Sequence, residues 1–283
     1  MDFQQEGGIH DMDELFDITG KVSVVTGGGG ILCSEMARAL GKRGSKVAIL
    51  DLNENQAKAI ADEITSEGGT ATPVKTDVLD KKSLENARDI VLETFGRVDI
   101  LINGAGGNKK EATTSDTFEF FDIPPDAIQW VFNLNLLGTV LTTQVFGEVM
   151  AKQGEGVVIN MSSMASLRPL TRVIGYTTAK AAINNFTQWM AVHFNLNYSK
   201  NIRVNAIAPG FFLTNQNRFL LLDEATGERT KRGQQIIDHT PMDRYGSPED
   251  LIGTLIWLVS DASAFVNGIV VPVDGGFAAY SGV

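Results

Sequence analysis

Three side chains in the second half of the chain have the types and spacing for proton transfer. Tyr176 and Lys180 lie four residues apart in GYTTAKAAINNF, and Ser163 precedes the tyrosine by thirteen residues. Residues at i and i+4 share one helix face, so the ammonium can lie beside the phenol. A free tyrosine keeps its proton up to a pH of about 10, and a nearby positive charge lowers that pKa. We therefore expect Tyr176 to exchange a proton with a substrate oxygen near neutral pH. A solvated helix face can carry the same pair without a catalytic role. The motifs in the rest of the chain decide between these two interpretations.

Short apolar runs alternate with helical periodicity along the whole chain. This alternation predicts a doubly wound parallel sheet of seven strands, an α/β Rossmann fold in a single domain. The predicted strands are Val22–Thr26, Lys46–Leu50, Ala71–Lys75, Val98–Ile102, Val157–Asn160, Arg203–Ile207 and Ile269–Val273. The predicted helices follow the first strand to Arg43 and then span Glu54–Glu67, Lys81–Phe95, Ala127–Lys152, Tyr176–Tyr198 and Pro248–Ser260.

The predicted domain covers residues 17–283, after an N-terminal extension of residues 1–16. Two stretches, about 106–125 and 211–247, are too long for simple connections. Both follow carboxyl ends of strands, where open α/β sheets bind ligands. We interpret them as substrate loops, with irregular surface insertions as the alternative.

Composition limits the classes of partner. The chain has 283 residues, 43% hydrophobic and 20% charged, with a net charge of 24 − 34 = −10. An acidic surface disfavours nucleic acid and anionic membranes. Cys33 is the single cysteine, which suits a reducing cytoplasm, and no apolar run is long enough to cross a bilayer. No cluster of histidine, cysteine and acidic residues has metal-ligand spacing, so no metal is expected.

A glycine-rich turn links the first strand to the first helix. Thr26 is followed by glycines at 27, 28, 29 and 30, and such a turn before a helix N-terminus suits a pyrophosphate. Asp51 ends the second strand, 24 residues past Gly27. A carboxylate there can accept bonds from ribose hydroxyls and would repel a 2′-phosphate, so NAD(H) is favoured over NADP(H). A capping role for Asp51 is the alternative.

These motifs resemble the short-chain dehydrogenase/reductase family over nearly the whole chain. Thr26-Gly27 matches its TGxxxGxG motif, although Ile31 and Cys33 replace the second and third glycines. Asn103-Gly-Ala-Gly106 matches its NNAG motif, with Gly104 in place of the second asparagine. The resemblance implies that NAD(H) contacts Gly27, Gly29, Gly30, Ile31, Asp51, Asp77, Val78, Asn103, Ala105, Gly106, Tyr176, Lys180, Pro209, Gly210, Phe212 and Thr214.

The same resemblance implies a catalytic tetrad of Asn135, Ser163, Tyr176 and Lys180. Ser163 would bond the substrate oxygen, and Tyr176 would act as acid in reduction and base in oxidation. Lys180 would hold the nicotinamide ribose and depress the pKa of the tyrosine. Asn135 would kink its helix and hold a water that links Lys180 to solvent. Pairing of the long helices in the family implies a homotetramer.

The long loops and the C-terminal VVPVDGGFAAYSGV resemble the D-mannonate oxidoreductase (fructuronate reductase) branch of the family. This implies a small-molecule substrate, D-fructuronate, reduced to D-mannonate by NADH. A sugar acid needs a cation for its carboxylate. Our first choices for substrate contacts are Asn108, Arg168 and Arg218, from a wider set that also contains Lys109, Arg172, Asn217, Arg232 and His239.

Three alternatives remain open on sequence grounds. One is another polyol or sugar-acid oxidoreductase of the family, similar to gluconate 5-dehydrogenase. The second is a fatty-acid 3-oxoacyl reductase, which Asp51 disfavours because those enzymes usually prefer NADPH. A third, from a different class, is an NAD(H)-binding sensor without turnover, which the complete tetrad disfavours.

Overall fold

The computed structural model describes residues 12–213, 218–223 and 226–282. Seven strands form one parallel sheet in the order β3-β2-β1-β4-β5-β6-β7. Because the chain passes from the β3 edge back to β4 beside β1, the winding reverses between β1 and β4, as in a doubly wound sheet. The strands are β1 (Val22–Thr26), β2 (Lys46–Asp51), β3 (Thr70–Lys75), β4 (Ile100–Asn103), β5 (Glu155–Met161), β6 (Asn201–Pro209) and β7 (Val270–Val273).

Helices connect the strands and cover both faces of the sheet. Three helices start at side-chain caps, where Asn53, Asp80 and Thr230 accept backbone N–H groups, and Gly96 ends the second of them with φ 81°. The helices are α1 (Met12–Leu15), α2 (Ile31–Lys42), α3 (Glu54–Ser66), α4 (Lys81–Phe95), α5 (Pro125–Phe132), α6 (Gly138–Gln153), α7 (Ile174–Asn197), α8 (Arg218–Leu221), α9 (Lys231–Asp238) and α10 (Ile252–Val259). Within the described ranges, no helix is both long and apolar enough to cross a bilayer.

The core has two layers, one on each face of the sheet. Successive strand residues point to opposite faces, so Val25 packs towards α2, α3 and α10, whereas Val24 packs towards α4, α6 and α7. All five residues of β1 are buried, as a central parallel strand requires. Burial on both faces explains why the strands read as continuous apolar runs.

The predicted fold class is confirmed, and the element bounds differ mainly at two helices. The helix predicted over 127–152 is divided into α5 and α6 by a π-helical turn, Asn133–Leu137. The helix predicted over 248–260 begins as a 3₁₀ turn, Pro248–Leu251, before α10. The stretch after β6 contains α8 and α9, which the sequence reading did not predict. Both the stretch after β4 and the stretch after β6 leave the carboxyl edge of the sheet.

Candidate active site

Ser163, Tyr176 and Lys180 meet at the carboxyl end of β5. Ser163 follows the strand and caps a 3₁₀ turn, where its Oγ accepts the Ala165 N–H at 3.1 Å. Its hydroxyl also hydrogen-bonds the Tyr176 phenol. Lys180 lies one turn further along α7, with its Nζ 5.6 Å from the centroid of the tyrosine ring. The predicted i, i+4 arrangement on one helix is therefore present.

The lysine ammonium is anchored to the sheet. Its Nζ donates to the Met161 carbonyl at 2.7 Å, and the side chain is only 5% exposed. Burial lowers the pKa of Lys180 to about 8, because an ammonium is poorly solvated there. Near neutral pH the group is still mainly charged.

The pKa of Tyr176 differs from the sequence expectation. Burial raises it above its ordinary value, and the hydrogen bond from Ser163 only partly opposes that rise. The Lys180 charge is not among the causes. Without a bound cofactor the phenol of Tyr176 therefore keeps its proton at neutral pH. The expectation that Lys180 lowers the pKa of Tyr176 is wrong for the cofactor-free protein.

Asn135 lies in the π-helical turn and is fully buried. Its side-chain amide makes two bonds to one residue of the segment after β4: Nδ2 donates to the Gly107 carbonyl at 2.7 Å, and Oδ1 accepts the Gly107 N–H at 3.2 Å. Nδ2 also donates to the Val131 carbonyl at 2.8 Å. The helix is thus locally distorted at Asn135, as predicted, and the amide fixes the loop beside the tetrad. A water held by Asn135 stays a prediction.

The glycine-rich turn and the segment after β4 are joined by Thr26. Its Oγ1 accepts the N–H groups of Gly104 at 3.1 Å and Ala105 at 3.3 Å. Gly27 has φ 64°, and a Cβ there would come within 2.9 Å of the Ala105 Cα. Only glycine combines this left-handed conformation with so close an approach of two backbones.

The two departures from the family motifs lie against each other. A Cβ at Gly104 would overlap the Cys33 Sγ and would lie 2.7 Å from the Thr26 carbonyl oxygen. The thiol therefore fills the space that a side chain at 104 would need. Burial raises the pKa of Cys33 to about 12, so the thiol is neutral and acts as a packing group.

Asp51 lies at the end of β2, and backbone groups hold its carboxylate. Oδ2 accepts the Gly29 N–H at 3.0 Å, and Oδ1 accepts the Asn53 N–H at 2.8 Å. Each oxygen has a further lone pair for a hydroxyl ligand. The carboxylate is thus fixed in orientation and lines the cleft.

A cleft of about 530 Å³ runs from Asp51 to the tetrad, a volume within the range of ligand sites. Of the predicted cofactor contacts, those that line it are Gly27, Gly30, Ile31, Asp51, Asp77, Val78, Ala105, Gly106, Tyr176, Lys180, Pro209, Gly210 and Phe212. Gly29 does not line the cleft and donates its N–H to Asp51. Thr214 and Asn217 lie outside the described residues.

Asn103 is placed in the sheet and not at the cleft wall. Its Nδ2 donates to Thr143 Oγ1 at 3.0 Å and to Asn160 Oδ1 at 2.8 Å, and the amide of Asn160 continues to Thr187 at 2.9 Å. This buried chain of bonds joins β4 and β5 to α6 and α7. Asn103 thus joins the sheet to the helices below the site, and its contact with the cofactor stays a prediction.

The cleft also has lining residues that sequence reasoning missed. Two of them were predictable from the sequence, because Leu52 and Thr76 directly follow β2 and β3 at the edge of the sheet where ligands bind. The missed lining residues are Leu32, Leu52, Gln56, Thr76, Gly107, Leu134, Met161 and Ser162, besides Cys33 and Gly104.

The three substrate candidates are exposed, and none of them lines the cleft. Asn108 Nδ2 donates to Thr113 Oγ1 at 2.9 Å, and Arg168 Nε donates to the Ala278 carbonyl at 3.0 Å. Arg168 therefore ties the segment after β5 to the C-terminal segment. Arg218 begins α8 and is exposed. Their substrate contacts stay predictions.

Comparison with known proteins shows the family to which the chain belongs. A family model described as enoyl-(acyl carrier protein) reductase matches residues 30–278. The chain belongs to the short-chain dehydrogenase/reductase family, and it is an oxidoreductase that uses NAD(H).

Three relatives in this family show which oxidoreductases the chain is similar to. An uncharacterized oxidoreductase, UxuB, of Bacillus subtilis is 51% identical over 276 residues, covering 94% of this chain and 98% of the relative. A solved structure from Haemophilus influenza, described as a candidate D-mannonate oxidoreductase with bound NAD, is 46% identical with a TM-score of 0.89, covering 94% and 98% of the two chains. The 2-dehydro-3-deoxy-D-gluconate 5-dehydrogenase of Dickeya dadantii is 34% identical over 265 residues, covering 93% and 98%.

Proposed function

We propose that the protein reduces the ketone of a sugar acid with NADH, and that D-fructuronate, which becomes D-mannonate, is its substrate. The observation that carries this proposal is the row of Ser163, Tyr176 and Lys180 at one end of a cleft whose other end is Asp51. The Haemophilus structure described as a candidate D-mannonate oxidoreductase and the 2-dehydro-3-deoxy-D-gluconate 5-dehydrogenase of Dickeya dadantii support the substrate class.

The protonation states suit the reductive direction. Bound NADH supplies the hydride that adds to the ketone carbon. The alkoxide oxygen that develops needs a proton, and Tyr176, whose pKa burial raises, holds one at neutral pH. Ser163 can donate to the same oxygen, and Lys180, fixed by the Met161 carbonyl, is placed to hold the nicotinamide ribose. The products are the alcohol and NAD⁺.

The preference for NAD(H) follows from the Asp51 carboxylate. Gly29 and Asn53 already hold both of its oxygens by backbone bonds, so the charge cannot swing away from a 2′-phosphate. Two ribose hydroxyls can still donate to its remaining lone pairs. A phosphate at the same place would face a fixed like charge.

We also propose that the enzyme is a homotetramer in the cytoplasm. The outer face of α7, which lies beside α6, carries exposed apolar side chains, including Trp189, 57% exposed, and Leu196, 71% exposed. A groove of about 690 Å³ lies between the two helices. A contiguous apolar surface of this kind suits a contact with a second copy. Sedimentation should give a tetramer, and Trp189→Glu should give smaller species; a monomeric parent protein would contradict the proposal.

The test of the substrate is an NADH-oxidation screen of the purified enzyme. The panel is D-fructuronate, D-tagaturonate, 5-keto-D-gluconate and 2-keto-3-deoxy-D-gluconate, with Tyr176→Phe as the inactive control. We expect the highest kcat/KM for D-fructuronate. Faster turnover of 5-keto-D-gluconate would replace the substrate within the same class. NADH binding without turnover of any ketone would favour a sensor over an enzyme.

A further inference from the structure

Three side chains on one face of α7 bond the end of β5 and the segment after it. Tyr176, Lys180 and Asn184 are spaced at i, i+4 and i+8, which places them on the same side of the helix. Tyr176 bonds the Ser163 hydroxyl, and Lys180 donates to the Met161 carbonyl. Asn184 is the third member of this row, and the motifs in the sequence did not identify it.

The amide of Asn184 joins two serines of the segment after β5. Ser162 donates its hydroxyl to Oδ1 at 2.5 Å, and Nδ2 donates to Ser166 Oγ at 2.8 Å. Ser166 in turn donates to the Ser163 carbonyl at 2.6 Å. Each hydroxyl has one proton, and these bonds use both protons. The two serine oxygens lie 3.0 Å apart, so it is the amide, and not a direct bond between them, that joins the pair.

These bonds hold the backbone that carries the Ser163 hydroxyl. Ser162 and Ser163 are buried, and both line the cleft. The Ser163 carbonyl also accepts the Ser166 N–H at 2.9 Å, so Ser166 binds it twice. On the side-chain side, Ser163 Oγ accepts the Ala165 N–H at 3.1 Å. The hydroxyl is thereby kept in place beside the Tyr176 phenol.

We infer that Asn184 is a positioning residue, which acts through Ser166 to fix the Ser163 hydroxyl that donates to the substrate oxygen. This inference rests on the role of Ser163 in the proposed function. A catalytic group must stay within about 0.5 Å of its productive position, and a misplacement of about 1 Å can lower the rate by about 100-fold. Asn184 does not line the cleft, so its effect passes through groups that do.

Asn184→Leu removes both amide bonds, keeps a similar shape and adds no charge near Lys180. We expect it to lower kcat by roughly 10- to 100-fold and to keep the Kd of NADH within about two-fold, because the cofactor contacts are unchanged. Ser166→Ala removes the side-chain bond to the Ser163 carbonyl with a smaller change of volume, and it should give a similar loss of kcat. Asn185→Leu is the matched control at the adjacent, exposed position of α7 and should stay within about two-fold of the parent.

A double-mutant cycle with Ser163→Ala tests whether the effect passes through that hydroxyl. In the Ser163→Ala background, Asn184→Leu should lower kcat by less than about two-fold, since the group that it positions is already absent. Single-turnover NADH oxidation by stopped flow gives the rates with D-fructuronate, or with whichever keto acid of the panel is reduced fastest. An equal loss in both backgrounds would overturn the inference, because Asn184 would then support the site by another route.

Hydrogen exchange separates this inference from the proposed function, because it needs no substrate. The Ala165 and Ser166 N–H groups bond Ser163, and Asn184→Leu should raise their exchange rates in the cofactor-free protein by about ten-fold or more, whereas Asn185→Leu should not. If no ketone is reduced but this exchange is faster, the proposed reaction fails and the hold on Ser163 stands. If D-fructuronate is reduced and Asn184→Leu keeps the parental kcat, the inference fails and the reaction stands. Parental exchange rates in Asn184→Leu would also overturn the inference.

Discussion

Lys180 is an ionisable group held inside the protein, and its replacement should show what that burial costs. Burial lowers its pKa from 10.5 to about 8. We predict that Lys180→Met abolishes turnover, and that the difference in stability between the parent and the variant depends on pH. Methionine has a similar length, and it requires no solvation of a charge.

The magnitude follows from proton linkage. Below the folded-state pKa of about 8 the lysine is charged in both states, and its burial lowers the free energy of unfolding by a constant amount. Between about 8 and 10.5 the unfolded chain binds more protons than the folded one, so stability rises with pH. At about 1.4 kcal/mol per pKa unit, the parent should gain roughly 2.5 kcal/mol relative to Lys180→Met between pH 7 and pH 10. The Cys33 thiol, whose pKa burial raises to about 12, stays neutral in the folded protein and ionises only in the unfolded chain; because both proteins contain it, its effect cancels in their difference.

Urea unfolding of the two cofactor-free proteins at pH 7, 8, 9 and 10 measures this gain. Groups common to both proteins cancel in the difference, and one protein concentration is used throughout, because association affects apparent stability. Lys200→Met is the control: Lys200 is exposed, and its removal should leave the gap with the parent within about 0.5 kcal/mol at every pH. A parent-to-Lys180→Met gap that stays equally flat would refute the depressed pKa.

Three further predictions follow from the site. Tyr176→Phe should keep the Kd of NADH within about two-fold and lower kcat by at least 100-fold, since it removes the proton donor; stopped-flow NADH oxidation measures it, and activity within a few-fold of the parent would remove Tyr176 from that role. Asp51→Ala should lower the NADH-to-NADPH ratio of kcat/KM by about ten-fold or more, because a fixed negative charge is lost; an unchanged ratio would leave Asp51 a structural role. Gly104→Asn should destabilise the protein by about 1–3 kcal/mol through overpacking against Cys33, and Cys33→Gly should restore much of the loss; additive losses in thermal unfolding would contradict this coupling.

The fold was predictable because short runs of apolar residues in the sequence mark the strands of the sheet. A parallel strand covered on both faces must be apolar at nearly every position, and Val22–Thr26 and Lys46–Asp51 stand out on that basis. The boundaries within the long helix were not predictable. The π-helical turn at Asn135 exists because the amide bonds a loop residue 28 positions earlier, and periodicity carries no information about such a partner.

The grouping of Ser163, Tyr176 and Lys180 was predictable, but the proton affinities of the last two were not. The spacing of Tyr176 and Lys180 indicated a charge beside a phenol, from which a lowered tyrosine pKa followed. In the structure, the phenol is withdrawn from water, and the ammonium is bound to the Met161 carbonyl. Desolvation acts on every buried ionisable group, whereas the benefit of a charge depends on its direction and distance. Only coordinates provide those two quantities.

The choice among the loop cations shows the same limit. The sequence identifies the arginines near the carboxyl edge of the sheet. It cannot rank them as substrate ligands, because an arginine in solvent and an arginine that binds a ligand are the same residue type. The structure adds their partners: Arg168 already bonds the Ala278 carbonyl, and Arg172 pairs with Asp116. The sequence shows neither partner.

Cys33 and Gly104 show why motif departures should be read together. Each alone suggests a weakened nucleotide site, since one adds a side chain below the glycine-rich turn and the other removes a side chain from the neighbouring strand end. In the structure the thiol occupies the volume that the second residue lacks, and Thr26 still bonds both Gly104 and Ala105. Because the two changes compensate in volume and preserve this tie, the backbone of the turn keeps the close approach that a pyrophosphate requires. Single-residue deviations on neighbouring strands of such a sheet therefore indicate repacking before they indicate loss of the cofactor.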